Sequence, residues 1–442
     1  MSKRNFILLI IILILVVIAF VVFLYSRPGT NTPTDNGDQG TNFISRFNPF
    51  TKNTPPPTAT PPTNIGEDDT NTIKEIPKLV KVSSMPIAGF IVFVKERLKD
   101  IPVAPPTPET EQGLPPLKTA KPTPPLTEFV GALRYVERAT GNIYQTFVDK
   151  IIERKFSTTI IPKIYEAYFG NRGESVVMRY LKENDKTIET FVGTLPKEYL
   201  GADTTANNEI KGYFLPDNVK DVSVSPNGLK VFYLFETVDK IVGTTLNLSD
   251  GKKVQVFDSP FTEWLSGWAS DKTITLTTKP SANIPGYVYT LSLDKKNLLK
   301  TLGDINGLTT LASPDGKLIL YSDRSLSSYI YHTDSRNVDS LGIKTLPEKC
   351  VWGKGNDVVY CAVPKFADLG QYPDSWYQGE VSFNDQLWKV DIKTGNTTMI
   401  SDPVTVVDGE EIDGIKLALD QGENYLFFVN KKDSFLWKLE LK

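Results

Sequence analysis

Histidine and cysteine are nearly missing: one histidine and two cysteines serve a chain of 442 residues. A four-ligand Cys/His zinc site is therefore impossible. Any Ser-His-Asp or Cys-His catalytic arrangement has to use His332, which stands in Tyr331-His332-Thr333-Asp334 at the end of a short apolar run. Nothing beside it marks a nucleophile, so His332 reads as a surface or edge histidine. The chain also lacks a Gly-x-Ser-x-Gly nucleophile elbow and any Ca²⁺-loop spacing of Asp and Asn. Positive charge is not in excess: 49 Lys and Arg face 52 Asp and Glu, a formal net charge of −3. Nucleic-acid binding needs a basic stripe, so no nucleic-acid partner is expected, and no cofactor, metal or catalytic residue is assigned.

Apolar residues are plentiful in one place. Phe6 to Tyr25 is an unbroken apolar run without a charge, and at 1.5 Å per residue its twenty residues cover roughly 30 Å, the hydrocarbon thickness of a bilayer. Lys3 and Arg4 precede it, which by the positive-inside tendency keeps residues 1–5 as a cytoplasmic stub. The competing reading is a cleavable signal peptide. Such peptides have shorter apolar regions ending in small residues, whereas this run ends in Phe23-Leu24-Tyr25. Residues 6–25 are thus expected to be a single transmembrane helix in the cell membrane, with the rest of the chain extracytoplasmic. Residues 26–72 hold Pro, Thr, Asn, Gly and Asp, including Thr54-Pro55-Pro56-Pro57-Thr58. They cannot bury enough apolar surface to fold and read as a semi-extended tether.

Order is expected over 73–442, interrupted by a disordered Pro-rich loop at 101–126. Here one pattern recurs. Leu308 to Tyr321, LTTLASPDGKLILY, is two apolar arms around a Ser-Pro-Asp-Gly turn, a β-hairpin signal. It returns at Val222–Leu234 and Gly267–Thr277, and in weaker form at Val351–Tyr360 and Leu417–Phe428. After each hairpin comes a strand built around an aromatic, such as Tyr329-Ile330-Tyr331, and then a fourth strand. Ser225 and Ser313 lie 88 residues and two units apart, giving 44 per unit, the period of a four-stranded propeller blade. First strands are expected at Ile87, Ile164, Val222, Leu265, Thr309, Cys350 and Ile415. The fold class is therefore all-β, a seven-bladed β-propeller, or six-bladed if the segment at Ile87 is something else. The last blade ends at Lys442 one strand short, and the surplus strand Lys78–Ser83 is expected to complete it and close the ring.

Ser313-Pro314-Asp315-Gly316-Lys317 running into Leu318-Ile319-Leu320-Tyr321 resembles the repeat of the TolB-type propellers, a branch similar to the WD-repeat group. The resemblance covers roughly residues 78–442, with Ser225–Gly228 and Ser313–Gly316 carrying it closely. The whole chain also resembles a group of singly anchored bacterial envelope propellers, which implies architecture without an activity. TolB-type resemblance implies an extracytoplasmic protein-binding module. The anchor, the Pro-rich tether and the want of an α/β domain before the blades depart from TolB, so a TolB partner is not carried over.

Cys350 and Cys361 flank the sixth hairpin. A turn centred on Gly355-Asn356 places them directly opposite on one face, within reach of a disulfide; the competing reading is two reduced core cysteines. The one long insertion among the regular repeats, Lys365 to Asp385, interleaves Tyr372, Trp376, Tyr377 and Phe383 with Asp368, Asp374, Glu380 and Asp385. Rings offer flat apolar contact and carboxylates fix orientation, so the insertion reads either as a recognition loop for protein or glycan or as a self-packed cover. In a propeller, second-to-third-strand loops share a face with blade-to-blade links. The insertion therefore shares a face with Glu263 and Trp264, with Lys279, and with Thr345–Glu348. Glu263, Trp264, Lys279, Tyr372, Asp374, Trp376 and Tyr377 are the candidate partner-binding residues. The expected function is a membrane-anchored binding or scaffolding module of the bacterial cell envelope. The alternative is a carbohydrate-active enzyme, a glycosidase or lyase pairing Glu263 with Asp374 or Asp385. Because this face should point away from the membrane, Trp376 and Trp264 are expected to serve binding and not stability.

Overall fold

The Ser-Pro-Asp-Gly turn is a small hydrogen-bonded device. In the computed structural model the Ser313 hydroxyl donates to Asp315 Oδ1 at 2.6 Å and accepts the Leu318 N–H at 3.0 Å, while Asp315 accepts the Lys317 N–H at 3.0 Å. Gly316 then takes φ +73°, a left-handed conformation that costs a glycine little. Ser225, Asn227 and Lys230 repeat these contacts in blade three, with Gly228 at φ +70°. In the weaker turns the left-handed residues are Asn356 (φ 60°) and Glu423 (φ 50°), not the neighbouring Gly355 and Gly422. The motif is shifted there: Asp420 does the serine's work, accepting the N–H groups of Asn424 and Tyr425, both at 2.7 Å.

The structure describes residues 79–99, 126–200, 208–368, 370–406 and 410–442. The stub 1–5, the apolar segment 6–25, the tether 26–72 and nearly all of the loop at 101–126 lie outside the described residues. Among the described residues no helix is long and apolar enough to cross a membrane.

Seven four-stranded antiparallel sheets make the ring. Their first strands are Ile87–Leu98, Ile164–Gly170, Val219–Val224, Trp264–Ser270, Thr309–Ala312, Cys350–Trp352 and Gly414–Leu419, at the seven expected places. Blade one ends in a fourth strand of only two residues, Arg154–Lys155. Period-2 alternation gives each sheet two apolar faces, and these faces meet at the seams. Apolar clusters fill the seams; Ala88, Phe156 and Phe169 pack between blades one and two, and Phe232, Trp268 and Leu291 between three and four. At Gly89 an added Cβ would lie 1.9 Å from the Ala167 carbonyl oxygen, so only glycine permits the inner strands of blades one and two to approach this closely.

Blade seven closes the ring. Gly414–Leu419, Tyr425–Asn430 and Leu436–Glu440 are completed by Leu79–Lys81, with Leu79 opposite Leu439, Val80 opposite Lys438 and Lys81 opposite Trp437. The Val82 N–H bonds the Leu436 carbonyl at 2.7 Å, and the Leu436 N–H bonds Ser83 Oγ at 2.9 Å. Leu79 and Val82 are buried, one in the seam between blades six and seven and the other in the seam between seven and one. The sixth hairpin has Cys350 opposite Cys361, joined by a disulfide.

Burying Leu79 and Val82 stabilises the ring by about 1.5–3 kcal/mol each, before counting the paired edge. A chain starting at residue 75 should therefore melt cooperatively, and one starting at Met85 should melt far lower. Equal melting temperatures by circular dichroism would show that the ring does not depend on this strand.

Candidate functional site

The loop face is built around a fully buried lysine. Lys349 ends the link into blade six, in the 3-10 turn Pro347–Lys349, and none of its side chain reaches solvent. Its ammonium lies 2.7 Å from Asp385 Oδ2 and in direct contact with Asp413 Oδ1, both carboxylates equally buried. Asp385 opens the third strand of blade six where the insertion ends, and Asp413 sits just before the first strand of blade seven. Local donors also reach one oxygen of each carboxylate, while Asp385 Oδ1 is buried without a partner. Asp385 Oδ2 accepts the Gly414 N–H at 2.6 Å, and Asp413 Oδ2 accepts the Phe383 N–H at 3.1 Å and the Ser382 hydroxyl at 3.2 Å.

Trp376 covers this triad. The insertion forms one helical turn, Asp374–Tyr377, which directs the Trp376 indole N–H to both Asp413 oxygens at 3.0 and 3.3 Å. Lys349 Nζ lies 5.3 Å from the ring centroids of Trp376 and Phe383, and Lys431 Nζ lies 3.9 Å from that of Trp376. Burial pushes the Asp385 carboxyl up to about 6 against the pull of Lys349. Burial also raises Asp413, but Lys349 and the N–H donors outweigh it and hold that carboxyl below its ordinary range. Burial lowers the Lys431 ammonium.

The candidate residues fall into three places. Tyr372 and Trp376 are buried together with Leu326, Leu346 and Phe383, so the insertion packs on itself and on the links around it. Asp374 accepts the Ala282 N–H at 2.6 Å and the Ser281 hydroxyl at 3.2 Å, fastening the insertion to blade four. Tyr377 is half-exposed and its hydroxyl donates to Glu348. Glu263 and Lys279 form an exposed ion pair at 3.2 Å. Trp264 is buried in the seam of blades three and four, edge-on to Phe257, Phe261 and Tyr289, with its N–H on the Phe261 carbonyl. The two tryptophans are thus buried and apart, and the expectation that they bear little on stability gives way. His332 bonds Asp339 across its hairpin at 2.8 Å.

A second set of groups was missed in the sequence. The third residue of an inner strand recurs as a polar side chain: Glu166, Asp221 and Ser266. Inner strands start at the loop face, so these side chains and Glu348 surround the loop-face end of the central channel. They line one cavity of about 410 Å³. Aligning the blades on their first strands would have exposed this position. Asp221 Oδ2 accepts the Ser266 N–H and hydroxyl, both at 2.6 Å, and Glu166 pairs with Arg179. Burial pushes Asp221 up, and Glu348 up to about 7.

Removing one partner of a buried ion pair costs about 3–5 kcal/mol, so Lys349→Met should lower the unfolding free energy by that amount in guanidinium titrations at pH 8. A folded-state carboxyl at about 6, against an unfolded value of about 3.9, binds protons more readily folded than unfolded. Its contribution to stability therefore declines as pH rises from about 4 to about 6. With Lys349 gone both carboxyls move up from their wild-type positions, Asp413 from below its ordinary range and Asp385 from above it, and the deficit should shrink between pH 8 and pH 5; a constant deficit would assign the loss to packing. Trp376→Ala should separately cost about 3–5 kcal/mol, the range for buried large-to-small aromatic changes, and an unchanged melting temperature would contradict its burial.

No protein-family model matches the chain, and no curated protein matches it. Among solved structures it is similar to an oligogalacturonate lyase in complex with manganese, at 10% identity over 70% of this chain and 85% of that one, with a TM-score of 0.44. It is similar to the oligogalacturonate lyase of Vibrio parahaemolyticus at 10% identity over 71% of this chain and 94% of that one, TM-score 0.46. TolB from Acinetobacter baumannii matches at 13% identity over 70% of this chain and 76% of that one, TM-score 0.38. These likenesses carry no activity, and the seven-bladed β-propeller is read from the chain's own strand register.

Proposed function

We propose that the protein is a binding module of the bacterial cell envelope, anchored to the membrane through residues 6–25, whose loop face engages a protein or glycan partner. The observation that supports this reading is a division of labour on that face. Asp374, Asp413 and Asp385 Oδ2 accept backbone N–H groups, and Asp385 and Asp413 also hold Lys349, which stiffens the loops. On the same loops Phe366 is 83% exposed, Ile284 63% and Phe261 45%. A stiff frame bearing exposed apolar side chains loses little conformational entropy on binding, and aromatic side chains dominate the energetics of such contacts. The exposed Glu263–Lys279 pair adds polar groups at the rim.

Placement in the envelope rests on Lys3 and Arg4 before the apolar segment and on the bonded Cys350–Cys361 pair, since disulfides persist in oxidising compartments. The closing strand Leu79–Lys81 enters the ring from the hairpin-turn face, which turns the loop face away from the point of entry. The alternative enzyme reading is weakened by the same assignments. Glu263 is paired with Lys279, Asp374 holds the blade-four loop, and Asp385 is sealed beneath Trp376.

The test is capture of cross-linked envelope components by the full-length chain in its native membrane. Phe366→Asp with Ile284→Asp, both solvent-facing, should reduce recovery of the partner at least tenfold with no change in melting temperature. Unimpaired capture by the double variant, or release of unsaturated or reducing-end products from envelope polysaccharide by the purified chain, would overturn the reading.

A further inference from the structure

The first strand of blade one runs on past the ring. Ile87–Leu98 has twelve residues, where the other six first strands have three to seven. Its partner Thr127–Glu137 pairs with the third strand only as far as Ala132, and the Val148 N–H then reaches the Gly131 carbonyl at 2.9 Å. From Lys95 opposite Val130 to Leu98 opposite Thr127 the hairpin is two strands wide. The Lys99 N–H prolongs it with a bond to the Leu126 carbonyl at 3.0 Å. At strand spacing those pairs project roughly 17 Å beyond the neighbouring strands. They do so on the hairpin-turn face, where the chain also enters the ring at Leu79.

A bare two-stranded ribbon is marginal in water, and this one is fastened at its base. Arg97 donates to Glu128 at 2.8 Å and to Asp149 at 2.9 Å and lies over the Phe147 ring, while Lys95 pairs with Glu198. These contacts keep the turn that carries Ile152 and the loop that carries Tyr199 beside the ribbon. Phe129 is 72% exposed and Leu126 66%, and Val94, Leu98, Ile152 and Tyr199 are exposed with them. Register places Val94, Leu98 and Phe129 on one side of the ribbon, and Leu126 on the other with Lys99. A protein groove covers one side of such a ribbon, whereas a lipid surface takes side chains from both. Glu96 stands opposite Phe129, and a carboxylate is costly in hydrocarbon. The depth open to this end is therefore the headgroup layer, where rings with a polar edge such as that of Tyr199 are at home.

We infer that this end of blade one is a lipid-docking element. Phe129, Leu126, Leu98 and Val94 rest among the headgroups of the bilayer, and Lys99, exposed at the end of the ribbon, meets lipid phosphate. The inference rests on reading residues 6–25 as the membrane anchor, which supplies the bilayer. A second attachment on the hairpin-turn face fixes that face toward the lipid and leaves the loop face turned outward.

Photolabelling of the full-length wild-type chain tests this in vesicles of equal parts phosphatidylcholine and phosphatidylglycerol. The probe is a phosphatidylcholine with a diazirine at the headgroup end of its acyl chain, and labelled peptides are mapped by mass spectrometry. Label is expected in 6–25, in 94–99 and in 126–131. The loop-face peptides carrying Phe366, Ile284 and Phe261, also exposed and apolar, should take at least tenfold less. Label in 6–25 with none in the ribbon overturns the docking and leaves the anchor standing, while label in neither overturns both. Equal labelling of the loop face marks general adsorption and overturns the docking. So does a ribbon that escapes the probe and is cross-linked to a second copy of the chain. Leu98→Asp with Phe129→Asp, both solvent-facing, should cut ribbon labelling at least tenfold with label in 6–25 unchanged; undiminished ribbon labelling in that variant contradicts the inference.

Discussion

A lysine ammonium with no access to water governs the loop face. Taking a charge out of water costs several kcal/mol even after relaxation, and Lys349 is buried together with two carboxylates that offset that cost. Asp385 and Asp413 come from the end of the insertion and from the entry to blade seven. The three chain segments are thereby fixed to one point, and Trp376 and Phe383 exclude water above it. Such an arrangement is a poor source of net stability compared with an apolar substitute. Its consequence is geometric: the insertion has one low-energy position, and Asp374 and Tyr377 then reach blade four and Glu348 without further choice.

The ring beneath is organised differently. It has no single core, since the apolar faces of the sheets meet seam by seam. Each blade depends on its neighbours, and the order of the whole depends on the last seam being closed. Leu79–Lys81 supplies that closure through backbone pairing and two buried side chains. Inner strands contribute little apolar surface toward the axis, which leaves their third residues free to be polar. That freedom is what puts Glu166, Asp221 and Ser266 around one cavity.

Much of the ring was legible because it follows from a two-residue alternation and a four-residue turn. Leu308–Tyr321 states the unit, and its spacing from Ser225 sets the period; the closing strand follows from the want of a fourth strand after Glu440. Cys350 and Cys361 were placed opposite each other by counting outward from the turn, and they pair in that register. The shifted turns at Gly353 and Asp420 are less legible, because Asn356 and Glu423, not the glycines beside them, occupy the left-handed positions. The site was less legible. Alternating aromatic and acidic residues look the same whether a loop faces water or folds inward, and Trp376 folds inward because of Lys349, whose partner Asp413 lies 64 residues on. No local pattern marks that pairing. Phe366 and Ile284, exposed on adjacent loops, carry no signal in the sequence that separates them from core residues.

The central claim is that the buried ion triad, and not local loop propensity, positions the loop face. Hydrogen exchange of the Lys349→Met chain compared with the wild type tests it most directly. The account predicts that amide protection is lost across the insertion 370–385 and the segments 345–349 and 412–414, while the strands of blades two to four keep theirs. Protection of the insertion that survives unchanged in the variant would contradict it.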